Sequence, residues 1–115
     1  MMKLLRPDVA EILQEPLTNL VNSLKDDEDV KLIILFGSYA YGNPNADSDL
    51  DIAIISERSF DELSDASKKI RKKLRRKVGM PMDLLIFNYE RFTARVQEGF
   101  SFETEIFEKG IRLYG

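Results

Sequence analysis

VKLIILFGSYAYGNPNADSDLDIAII, residues 30–55, is the stretch on which the reading of this chain turns. Val30 to Phe36 is an apolar run with three β-branched residues, ended by Gly37, and predicts a short buried strand. SYAYGNPNADS then predicts a brief helical turn running into a loop rich in Gly, Asn, Pro and Asp. Asp49 to Ile55, DLDIAII, predicts a second strand. Asp49 and Asp51 are two apart, so on a strand their side chains leave the same face, about 7 Å apart along the backbone. Leu50 and Ile52 point the other way, toward the core. Two like charges held side by side repel and call for compensation. A divalent cation supplies it directly, and two cations about 3.5–4 Å apart could share these ligands.

Working outward, apolar residues fall at Val9, Ile12, Leu13, Leu17, Leu20, Val21 and Leu24, which is helical spacing from Pro7 onward. Pro7 suits a first turn, and Pro16 predicts a kink or a division of the helix. Asp26 to Asp29 reads as a solvated turn. On the other side, Ser59 to Val78 predicts a long helix with Phe60, Leu63, Ala66, Ile70, Leu74 and Val78 inward, closed by Gly79. Pro81 to Phe87 predicts a third strand. Helices follow near Tyr89–Gln97 and Phe102–Lys109, with Gly110 as a stop. The order helix, strand, turn, strand, helix, strand, helix, helix predicts an α/β (α+β) fold: a small mixed sheet with helices packed mainly on one side. The tail apolar residues Phe107, Ile111, Leu113 and Tyr114 read as core packing.

Composition narrows the chemistry. The 115 residues, 43% hydrophobic, suit one domain spanning 1–115, with a small but real core. Cysteine and histidine are both absent, which excludes disulfides, thiolate metal sites and every histidine-based nucleophilic triad. Metal chemistry must then use oxygen ligands, which suit magnesium, manganese or calcium. The start, MMKLLRPDVAEIL, lacks the features of a signal peptide, and no apolar segment approaches the roughly 20 residues that span a bilayer. The expectation is a cytoplasmic protein with no membrane partner. Net charge is −3, yet Lys68 to Lys77 holds eight of the 17 basic residues and no acid.

Asp83 is a third carboxylate of interest. It sits in MPMDLLIF, on a strand predicted to be buried, where an unpaired charge costs several kcal/mol, about 3–5 when a partner is missing. If the third strand lies beside the second, Asp83 can face Asp49 and Asp51. Gly37 and Ser38 follow a strand and open a helical turn, a position whose free N–H groups favour an anion. Gly37 permits close approach of a phosphate, and the Ser38 hydroxyl can donate to one. Simpler roles exist for each residue taken alone. Asp49 could cap the loop, Asp51 could face solvent, an Arg could pair with Asp83, Ser38 could cap the helix, and Gly37 and Gly42 could serve only turns.

Taken together, GSYAYGNPNADSDLD closely resembles the GSxARGxxxxxSDxDL signature of minimal nucleotidyltransferases in the DNA polymerase β superfamily. Gly37, Ser38, Ala40, Gly42, Ser48, Asp49 and Asp51 occupy the matching positions, with the same five-residue gap before Ser48. Asp83 matches the third carboxylate. The resemblance implies the polymerase β-like nucleotidyltransferase fold and transfer of a nucleoside monophosphate, with AMP from ATP favoured, onto an acceptor hydroxyl. It implies that Asp49, Asp51 and Asp83 are the catalytic, metal-holding residues for two Mg2+ ions, Mn2+ being an alternative. Gly37, Ser38, Gly42 and Ser48 would form the nucleotide-binding turn. Tyr41 departs from the pattern, standing where the family usually has Arg, and no tyrosine supplies bidentate charge. Arg58, Arg71 or a partner's side chain are candidate replacements.

Small proteins of this type resemble the antitoxin half of HEPN–MNT toxin–antitoxin pairs. The resemblance implies a HEPN-type protein partner, neutralised by adenylylation of a tyrosine, and a homo- or hetero-oligomer. A catalytically silent module that blocks its partner by contact is the alternative, as is an enzyme with a small-molecule or RNA acceptor. The basic run Lys68–Lys77 reads either as a solvated face or as a docking surface for phosphates or an acidic protein. It lacks interleaved aromatics, and nucleic acid is not the favoured partner.

Overall fold

The computed structural model describes residues 7–42, 44 and 48–115, without the side chains of residues 7–9 and 60. The inward placement expected of Val9 and Phe60 therefore lies outside the described residues, as does most of the loop between Gly42 and Ser48. The elements run α1 (Pro7–Leu24), β1 (Val30–Phe36), α2 (Ser38–Tyr41), β2 (Leu50–Ser56), α3 (Leu63–Val78), β3 (Met82–Asn88), α4 (Tyr89–Gln97), α5 (Ser101–Lys109) and β4 (Ile111–Tyr114). A 3₁₀ turn, Phe60–Glu62, leads into α3.

Four strands form one mixed sheet in the order β3-β2-β1-β4. The central strands β1 and β2 pair antiparallel, with Phe36 opposite Asp51. Their near-continuous apolar runs fit strands covered on both faces. The β2–α3–β3 crossover makes β3 parallel to β2, which a helix-length connection permits.

Strand alternation divides the apolar residues between the two faces. Ile33, Leu35, Ile52, Ile54, Leu84, Ile111 and Leu113 meet α1 (Leu13, Leu17, Leu20, Leu24) and α3 (Ile70, Leu74, Val78). Ile34, Phe36, Ala53 and Ile55 meet Phe92 of α4 and Ile106 of α5. The two long helices thus share one face, and the short pair α4 and α5 covers part of the other. A salt bridge at 3.0 Å from Arg95 to the buried Glu103 ties α4 to α5.

Three local outcomes differ from the sequence reading. α1 continues through Pro16 as one helix, because Leu13, Leu17 and Leu20 on either side of it are all buried in the core. The tail is not only core packing but a strand: β4 pairs antiparallel with β1 and buries Ile111 and Leu113, while Phe107 stays exposed. The third strand is an edge strand, so Asp83 near its start is exposed. The burial cost expected at that position therefore does not arise. No helix among the described residues is long and apolar enough to cross a membrane.

Candidate active site

The site lies where β1 ends and β2 and β3 begin. Parallel pairing sets Leu50 beside Met82 and Asp51 beside Asp83, and the Leu50 N–H donates to the Pro81 carbonyl at 3.0 Å to fix that start. Adjacent strands lie about 4.8 Å apart, and register partners point to the same face. Asp51 and Asp83 therefore project together, on the side of the sheet that carries α4 and α5. Asp49 sits one residue before β2, on the same alternation as Asp51, and is exposed.

Asp51 is the half-buried member of the three. Burial pushes its carboxyl above the usual carboxylate value, and the negative charges of Asp83 and then Asp49 push it further. The three charges thus act on one another through space. They are not yet a cage: among the described residues, no three acidic side chains already stand in a metal-ligating group. The donor set nevertheless fits a hard divalent cation, being all oxygen and carrying a mutual repulsion that such an ion relieves.

Gly37 connects this cluster to the turn. Its φ of +76° lies in the region that favours glycine, and a Cβ there would overlap the Asp51 carboxylate. Only a residue without a side chain lets the backbone pass so close to the acid. α2 is a single turn, begun by the Tyr41 N–H donating to the Gly37 carbonyl at 2.9 Å. Gly42 closes it with φ +88°, its N–H bonded to the Ser38 carbonyl. Ser48 is clasped from two sides. The Ser38 hydroxyl donates to its hydroxyl at 3.2 Å, and the Tyr39 hydroxyl reaches its carbonyl at 3.4 Å. Gly37, Ser38, Gly42 and Ser48 are thereby gathered beside the acids, with first-turn N–H groups of the kind that bind phosphate oxygens.

Tyr41 is half-buried against the α4–α5 face. Burial raises its phenol above the ordinary value, the Gly37 backbone opposes that, and Glu105 and Asp51 add to it. Two acids act on this position, and neither arginine expected to replace the missing one is bonded there. Arg58 is engaged at the far end of β2, with Asp27 at 2.7 Å and Asp29 at 3.7 Å. Arg71 lies on α3, across the sheet, donating to the Leu84 carbonyl at 2.6 Å. Neither candidate drawn from the sequence occupies the site.

Two residues of α5 border the site without having been singled out by sequence. Phe102 packs on Phe36, and Glu105 acts on Tyr41. No spacing rule links residues 102 and 105 to residues 36 and 41; only the return of α5 across β1 brings them together.

Known proteins resemble this chain in sequence and in fold. Residues 17–113 match the family described as nucleotidyltransferase domain. A Methanocaldococcus jannaschii protein, provisionally named a protein adenylyltransferase, is 33% identical over 103 residues, covering 88% of this chain and 97% of the relative. Among solved structures, a chain from a mutant toxin–antitoxin MntA–HpeT crystal superposes with a TM-score of 0.59 at 23% identity, over 86% of this chain and 73% of that one. A chain from the tri-AMPylated Shewanella oneidensis HEPN toxin bound to its MNT antitoxin gives 0.56 at 23%, over 90% and 72%. A chain from a toxin–antitoxin crystal with AMP-PNP gives 0.56 at 24%, over 86% and 73%. These likenesses are of fold, whereas the family match spans most of the sequence. The chain belongs to the nucleotidyltransferase-domain family.

Proposed function

We propose that residues 1–115 act as a single minimal nucleotidyltransferase that moves AMP from ATP onto a tyrosine hydroxyl of a HEPN-type protein, and so serves as an antitoxin. The observation that carries this reading is the pairing of Asp51 with Asp83 beside the Gly37 turn, in a chain of this family. The name of the Methanocaldococcus jannaschii relative supports protein as the acceptor, and the crystals of similar fold support a HEPN toxin as that protein.

In this reading Asp49, Asp51 and Asp83 hold two Mg2+ ions, with Mn2+ as a substitute. When bound, the ions supply charge neutralisation of the triphosphate and acidification of the acceptor hydroxyl. The chain's own groups do the remaining work. Gly37 and Ser38 hold the β- and γ-phosphates, fixing the leaving group while Ser48 braces the turn. Asp83, exposed at the sheet edge, faces the side open to an acceptor. The phenol oxygen bonds to the α-phosphorus as the bond to the bridging oxygen breaks. Pyrophosphate leaves, and the phenol proton passes to a carboxylate of the cluster or to water. Geometry of this kind works mainly by positioning and electrostatics, so no histidine is required.

Incubation with ATP, Mg2+ and the purified HEPN-type protein, read by intact mass, tests the reading. One or more adenylyl units should appear on the partner and vanish with Asp49→Ala. Tight partner binding without transfer, unchanged by Asp49→Ala, would instead establish a contact inhibitor. The loss of the family's arginine at Tyr41 is the observation that favours that outcome.

A further inference from the structure

We infer that Phe102 is the platform on which the nucleobase of the bound nucleoside triphosphate rests. This builds on the nucleotidyl-transfer reading and adds a residue that no motif of the family supplied. Phe102 stands in the first turn of α5 and keeps 48% of its surface exposed. It is nonetheless anchored, meeting Phe36 with ring centroids 6.0 Å apart and planes at 85°. Phe36 directly precedes Gly37 and pairs in the sheet with Asp51. The ring therefore stands on the carboxylate face, beside the turn assigned to the phosphates.

The electron-rich face of a phenyl ring suits an uncharged base and offers nothing to a triphosphate. The two other exposed phenylalanines of this region are engaged otherwise, with the Arg95 guanidinium 5.4 Å from the Phe100 ring centre and that of Arg112 5.7 Å from Phe107. Every base has a π-face, so a lone ring adds affinity with little discrimination between bases.

Calorimetric titration with ATP and with inorganic tripolyphosphate, both with Mg2+, separates base from phosphate. Phe102→Ala should weaken ATP binding by about tenfold while leaving tripolyphosphate binding unchanged. Phe102→Trp, which keeps a stacking face, should retain ATP affinity. Thermal unfolding of each variant verifies that it is folded. Equal losses for both ligands, or no loss for ATP, would overturn the platform and leave the transfer reading standing. A wild-type protein that binds neither ligand would overturn both together.

Discussion

Gly37 is where backbone conformation and site chemistry are hardest to separate. With φ at +76° and the Asp51 carboxylate where a Cβ would go, Gly37→Ala is strained twice over. We expect it to cost about 2–4 kcal/mol in denaturant unfolding and to abolish nucleotide binding. Gly42→Ala, where a Cβ meets open space, should cost less, since only its φ of +88° is strained. Asp51 argues the opposite trade. Its carboxyl holds a proton more tightly in the folded chain than in the unfolded one, so its contribution to stability is present below the ordinary value of 3.8 and is lost as pH rises through the raised folded value. At neutral pH without divalent cations, Asp51→Asn should therefore raise Tm by about 2–5 °C. That gain should narrow as pH falls toward 3.8. A variant no more stable than wild type at neutral pH would show that the three carboxylates do not strain one another. The pair Asp49 and Asp51 was legible in sequence from its spacing alone. The exposure of Asp83 was not, because its apolar neighbours gave no sign that β3 is an edge.

The same division holds for elements. α3 shows its two sides openly: Ala66, Ile70, Leu74 and Val78 are buried, and the cations from Lys68 to Lys77 are exposed. Leu74→Ala, at a fully buried position, should cost about 2–5 kcal/mol. Lys72→Ser on the outer face should change stability by no more than about 0.5 kcal/mol. α1 carries Pro16 in its interior, and the buried leucines around it hold the helix together regardless. Pro16→Ala should then stabilise the protein by about 1–3 kcal/mol, measured by chemical denaturation, since the helix gains a backbone hydrogen bond and loses a steric conflict. β4 escaped the sequence reading because IRLY is only four residues long, and so short an apolar alternation after a glycine does not distinguish a strand from packed coil.

For the whole molecule, the sheet separates two charged surfaces. The acids lie on the face of α4 and α5, and the basic helix lies on the other. Cations that bind the folded state alone stabilise it by mass action, by about 2.7 kcal/mol at a hundredfold excess over Kd. Millimolar Mg2+ or Mn2+ should therefore raise Tm at neutral pH, and Asp51→Asn should remove most of that rise. Equal shifts in both proteins would show that the ion binds elsewhere. Because the Lys68–Lys77 surface sits across the sheet from Asp51, neutralising it should leave this metal response intact.

Spacing and residue type determined the local facts: that the runs near residues 30–36, 49–55 and 81–87 become strands, that Asp49 and Asp51 share one alternation, that Gly37 ends β1, and that any metal site must be built from oxygen. These are legible because they depend on neighbours in the chain. Tertiary structure decided the rest. It set β3 beside β2 in the register that opposes Asp83 to Asp51, engaged Arg58 with Asp27 and Arg71 with the Leu84 carbonyl, and carried Phe102 back over Phe36. Each of those depends on strand order and on the path of a helix over the sheet, which residues distant in sequence settle together and no local pattern records.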